Sequence, residues 1–187
     1  MEKTRTKLEK LKSQHIIVRR DIEQIYSGIF LEVICSFENF IENLFIGLLV
    51  GRLIHGSPEI IPRVNFKSDR VARDIVLGGM NYVDWFPYRL TEKRAKAFFR
   101  RGLPFTVLDK NDKEKLENIL YIRNAISHKS THAIRTCEKK VIGSQILMPR
   151  ERTTSGYLRG IFRIFPIQSR YENLITEISR IAMKLCI

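Results

Sequence analysis

A chain of 187 residues has room for one core of ordinary size and is short for two. With 44% aliphatic and aromatic residues it can build a packed interior, which excludes a disordered basic tail. Its 33 Lys and Arg against 20 Asp and Glu leave a formal net charge of +13, so the surface needs an acidic partner. Nucleic acid fits best, with an anionic membrane surface or an acidic protein open in principle. The amino-terminal MEKTRTKLEKLK lacks the apolar stretch of a secretion signal, and no apolar run nears the roughly 20 residues that cross a bilayer. A cytoplasmic protein with no membrane partner is therefore expected. Cys35, Cys137 and Cys186 are widely spaced and form no CxxC pair, which predicts reduced thiols and small core fillers.

From Glu2 to about Gly56 helix breakers are almost absent. Apolar residues recur at Ile25, Ile29 and Val33, and again at Phe30, Ile34, Phe37, Ile41, Leu44 and Leu48, at helical spacing. A charged helix is predicted to about Gln24 and an apolar one after it, with a break at or near Gly28. The second is apolar over so wide an arc that it belongs at the centre of the core or at a dimer seam. SPEIIPRVNF reads as an extended connector, and Ser68 as the cap of a short helix DRVARDIVL that stops at Gly78 and Gly79. Trp85, Phe86, Pro87 and Tyr88 form an aromatic turn, after which Thr91 caps a helix TEKRAKAFFRR ending at Gly102, with Phe98 and Phe99 on its buried side.

That helix is densely basic. Between Arg89 and Arg101 stand six Lys or Arg against the single Glu92. Arg94, Lys96, Arg100 and Arg101 are candidate contacts to an RNA backbone; a solvated helix face explains them equally well. Leu116, Ile119, Leu120, Ile122 and Ile126 then predict a long helix from near Asp112 through EKLENILYIRNAISHKS. From Cys137 to Pro166 the chain is basic and irregular, with VIGSQILMP and YLRGIFRIFP similar to short strands. Ser169 and Glu172 make an S-x-x-E capping box ahead of a final helix. The fold class expected is mainly α: one helical domain spanning 1–187, with an irregular basic insertion at about 137–167 that could contain short strands.

Phosphate loops, nucleophile elbows, HExxH and dinucleotide fingerprints are all missing from the sequence. What remains is Arg123-Asn124-Ala125-Ile126-Ser127-His128, an always-charged fork, an amide and an imidazole within two helical turns. Asn124 and His128 share a helix face, whereas Arg123 lies about 140° round the axis from His128. Two such helices about a twofold axis would bring both pairs to one cleft. There His can take the proton of a ribose 2′-OH or give one to the leaving 5′-oxygen, and Arg can neutralise the charge growing on phosphorus, with no metal or other cofactor.

These residues resemble the motif of the HEPN superfamily (higher eukaryotes and prokaryotes nucleotide-binding), whose ribonuclease members have R-x(4–6)-H with a polar residue directly after the Arg. The motif here is RNAISH, preceded by YI and followed by KS. The resemblance implies a HEPN-like helical bundle, a homodimer with a composite cleft, and metal-independent endoribonuclease activity leaving a 2′,3′-cyclic phosphate, often within toxin–antitoxin or anti-phage systems. It implies Arg123 and His128 as the catalytic pair and Asn124 as the residue orienting them; Lys129 and Ser130, directly after the motif, are candidate RNA contacts. An antitoxin or defence-system partner is a further implication. FENFIENLF, with Glu38 and Glu42, is loosely similar to an acidic residue in an aromatic setting on the family's earlier helix. Members controlled by a partner nucleotidyltransferase have Tyr two places after the His; this chain has Ser130, so that regulation is not expected. The alternative function is a non-catalytic HEPN-like module that binds RNA or protein.

Overall fold

The structure, a computed structural model, describes residues 2–143 and 145–186, with side chains from Thr6 onward. The chain is mainly α, 66% helix. Among the described residues the helices are α1 (Glu2–Ser13), α2 (Arg19–Leu49), α3 (Asp69–Leu77), α4 (Tyr88–Phe98), α5 (Lys110–His128), α6 (Thr131–Cys137), α7 (Thr154–Arg159) and α8 (Arg170–Cys186). A two-stranded antiparallel ribbon joins β1 (Ile161–Arg163) to β2 (Gln168–Ser169). Two compact units emerge: Met1–Ile34 with Tyr121–Ile175, and Cys35–Leu120 with Thr176–Ile187. Among the described residues no helix is long and apolar enough to cross a membrane.

The break in the amino-terminal helices falls at Gln14–Val18 and not at Gly28, which sits exposed inside α2. His15 takes a left-handed φ of 58°, while its N–H bonds to Lys12 O and the N–H of Ile16 to Leu11 O. That is a Schellman closure built without glycine, at a residue type that tolerates this conformation better than most. Asp21 then accepts from the N–H of Val18 at 3.1 Å and starts α2. In this first unit Ile22, Tyr26, Phe30 and Ile34 of α2 are buried, as are Ile122 and Ile126 of α5. Tyr26 meets Tyr171 edge-on at 5.5 Å, and Arg159 grips Glu9 through two bonds of 2.9 and 2.8 Å.

The region from Cys137 to Pro166 is more helical than its sequence suggests. Val141 and Ile142 close a helical run as buried residues, and Tyr157 and Leu158 are buried in α7, whose start is fixed by Thr153 accepting from the N–H of Gly156 at 3.1 Å. Among the described residues of the expected extended stretches, only Ile161–Arg163 is a strand. Gly160 admits the Arg170–Glu151 ion pair at 3.3 Å, where any Cβ would collide with the guanidinium. The capping box at Ser169 forms as expected: Glu172 accepts from the N–H of Ser169 at 2.8 Å and returns its own N–H to Ser169 Oγ at 3.2 Å.

In the second unit Phe45 lies at the centre of an aromatic cluster, 5.2 Å from Trp85 and 5.0 Å from both Phe99 and Phe105. α4 begins at Tyr88, three residues before Thr91, because Thr91 is buried and spends its hydroxyl on Trp85 O at 2.7 Å. Ser68 and Gly78 bound α3 as expected, although the Ser68 side chain makes no capping bond. Of the three thiols only Cys137 is a core filler, its pKa pushed up to about 11 by burial; Cys35 and Cys186 are exposed.

Candidate functional site

α5 presents the motif at its carboxyl end. Ile122, Ala125 and Ile126 face inward, which leaves Arg123 and Asn124 half-buried on the flank and Ser127 and His128 exposed. The helix stops because Lys129 turns left-handed, at φ 49°. Ser130 follows as the cap of α6, its hydroxyl accepting from the N–H of Ala133 at 3.2 Å. The imidazole therefore stands on the last turn of one helix, immediately before a sharp corner.

Arg123 Nη1 donates to Asn124 Oδ1 at 3.0 Å. Adjacent residues on a helix project about 100° apart, so the long arm bends to reach this amide. The bond occupies one N–H of the fork and leaves others for an incoming oxygen. Among the described residues no carboxylate pairs with Arg123, and no hydrogen bond or ion pair joins His128 to Arg123 or Asn124. The structure bonds Arg123 to Asn124, and among the described residues it makes no such bond to His128 at the exposed end.

The four candidates of the basic segment divide. Arg94 is tied down: it donates to Asp84 O and lies over the Trp85 ring, 5.6 Å from its centroid, and burial lowers its pKa. Lys96, Arg100 and Arg101 are exposed. The last two follow α4 in a tight turn held by an extended strand segment, where Arg100 N–H bonds to Ile61 O at 2.9 Å and Pro62 bridges Phe99. Glu92, the lone acid of this stretch, is taken by Lys113 at 2.7 Å.

Glu42 holds a structural position in its aromatic setting. It accepts from Trp85 Nε1 at 3.1 Å and pairs with Arg73. Among the described residues no group of three His, Cys, Asp or Glu comes together as a metal site. Sequence reasoning missed a hollow of about 330 Å³ in the first unit, where Arg19, Arg150 and Arg159 gather with Glu9, Glu23 and Glu151. These residues come from segments far apart in the chain, and only the two arginines flanking Glu151 hinted at it. No protein-family model, curated protein or solved structure matches the chain.

Proposed function

We propose that the protein is a metal-independent endoribonuclease of HEPN type, acting as a homodimer on RNA. The observation that carries this reading is RNAISH at an exposed helix end, with the Arg123 fork steadied by Asn124 and the His128 imidazole free of competing bonds. Within one chain Arg123 and His128 are not joined, so a second copy supplies the complementary pair across a twofold axis. One imidazole removes the 2′-OH proton, the O2′–P bond forms, and the P–O5′ bond breaks as a second imidazole gives its proton to the departing 5′-oxygen. The products are a 2′,3′-cyclic phosphate and a 5′-hydroxyl. The two guanidinium groups carry the negative charge that builds on the phosphoryl oxygens in between. The net charge of +13 supports a polyanionic substrate. A toxin or anti-phage effector restrained by a partner protein is the setting that the resemblance implies.

The test is incubation of purified protein with total RNA in EDTA, alongside His128→Ala. Metal-free cleavage that the variant loses supports the reading; equal RNA binding by both proteins with no cleavage by either makes the chain a binding module. Sedimentation must also give a dimer, since a stable monomer of 22.0 kDa at micromolar concentration overturns the composite cleft.

A further inference from the structure

From Arg152 to Tyr171 the chain has four arginines and no Asp or Glu. At the middle of this segment, Ile161-Phe162-Arg163-Ile164-Phe165-Pro166-Ile167 is exposed at every position. The β1–β2 ribbon turns through it, and Ile164 and Phe165 at the tip are 81% and 91% exposed. Single exposed apolar side chains are ordinary on any protein surface, but six of seven successive residues at the end of a ribbon form a patch that marks a contact. The base of the ribbon borders the 330 Å³ hollow, where Ile161 and Ile167 share the wall with Arg19 and Arg150. Within two residues of those arginines in sequence, Val18 and Met148 are exposed as well. The hollow's carboxylates are each engaged, Glu9 with Arg159, Glu23 with Arg19 and Glu151 with Arg170, so they temper the positive charge without reversing it.

We propose that this ribbon docks on an anionic lipid surface. Ile164, Phe165 and their apolar neighbours enter the headgroup boundary of one leaflet, while the exposed Arg163 and Arg150 meet lipid phosphates beside the hollow. Charge and shape select this occupant. A second copy would bring the same arginines face to face, and like charges oppose that pairing. RNA would satisfy the arginines and could stack bases on Phe162 and Phe165, but Ile161, Ile164 and Ile167 offer it no aromatic face. An anionic leaflet satisfies both halves at once, with apolar side chains below the headgroups and guanidinium groups at their level. The contact is peripheral and independent of any membrane-crossing segment.

The experiment is co-sedimentation of the full chain with vesicles of phosphatidylcholine alone and of phosphatidylcholine mixed with phosphatidylserine. Binding to the mixed vesicles only, released as salt is raised, is the expected result. The double variant Ile164→Asp/Phe165→Asp should lower vesicle binding by at least about tenfold, since each buried side chain contributes on the order of a factor of ten. Its melting temperature should not move, because both residues are exposed. Arg163→Glu should weaken binding in the same direction by less. Wild-type protein left in the supernatant with anionic vesicles at low salt overturns the proposal, as does a double variant that binds like wild type. If wild type ignores vesicles and the double variant loses RNA affinity or its dimeric mass, the ribbon serves RNA or a second copy instead. The vesicles contain no RNA, so the outcome does not depend on the ribonuclease reading.

Discussion

At the first turn of α5 every charge is engaged, and at its last turn almost none is. Asp112 is buried, and its two carboxylate oxygens accept from Arg180 and from Lys184, the latter at 2.6 Å. Lys184 also reaches Asp109 at 3.1 Å, Lys115 pairs with Glu177 at 2.7 Å, and Arg180 donates to Glu177 at 2.8 Å. Asp109 caps the helix, accepting from the N–H of Asp112 at 2.8 Å. At the carboxyl end Arg123 has its neighbour's amide, while His128 and Lys129 are exposed. Isolated surface pairs contribute little, but a network closed around a buried carboxylate resists the loss of any member. One helix thus separates charge that holds structure from side chains left exposed.

The largest effect expected from breaking this contrast is at the carboxyl end. His128→Ala should reduce cleavage by roughly 10²–10⁴-fold, the usual contribution of a positioned acid–base group, with an unchanged melting curve. Arg123→Lys keeps the charge and discards the planar fork, so cleavage should fall strongly while most RNA affinity persists. If both variants instead melt several degrees lower and any cleavage survives in the folded fraction, the motif belongs with the structural end of the helix.

Asp112→Asn should do the reverse. Its partners remain partly exposed and can recover water, so the loss should be about 1–3 kcal/mol, or a few degrees in melting temperature for a chain of this size. Cleavage per folded molecule should hold. Burial raises the Asp112 pKa, but hydrogen bonds from Lys184 and Arg180 outweigh it and hold the carboxyl below its ordinary value of 3.8. A depressed folded value means the carboxylate's contribution is complete above the unfolded pKa and disappears as pH falls through the folded one. The stability gap between wild type and Asp112→Asn should therefore be flat above about pH 5 and shrink below about pH 4. A gap that persists unchanged into acid would show that the network does not depend on this charge.

Sequence periodicity revealed α3, α5 and α8 with their ends nearly right, because Gly78 and the Ser169–Glu172 box are local signals that act within a few residues. The His15 corner was invisible, since a left-handed histidine has no glycine or proline to announce it. Thr91 looked like a cap and proved to be a buried hydroxyl, its partner Trp85 O being set by the aromatic turn rather than by the helix. RNAISH stood out as a motif, yet nothing local could show that Arg123 would turn to Asn124, or that Asp112, near the other end of the helix, would accept from two side chains. Asp112 depends on Arg180 and Lys184, far along the chain, where one sequence read alone gives no pairing.

α4 and the turn after it repeat the contrast over a few residues. Arg94 is committed to Asp84 O and the Trp85 ring, whereas Arg100 and Arg101 are exposed. Arg100→Glu/Arg101→Glu should weaken binding to all RNA sequences alike and reduce the slope of log affinity against log salt by about 2, roughly one unit for each phosphate that is no longer neutralised. Arg94→Ala should show up in the melting curve instead. Unchanged affinity in the double variant would make this segment a solvated face.

The smallest effect is expected at the corner after His128, where one side chain can be assigned two jobs. Ser130 Oγ accepts from the N–H of Ala133, so Ser130→Ala removes the cap of α6 and should cost about 1 kcal/mol, the usual loss on replacing a capping residue by alanine. Cleavage should hardly change, because the hydroxyl is already spent on the helix. Ser130→Asp separates the roles further. Aspartate caps as well as serine, and its charge suits the positive end of a helix, so stability should return to the wild-type level. The same charge, two residues from His128, should repel a phosphate backbone and lower RNA affinity if the corner faces the substrate. Recovered stability with weakened RNA binding would place the corner at the RNA; recovered stability with unchanged binding would confine Ser130 to capping and move the substrate to another face of α5.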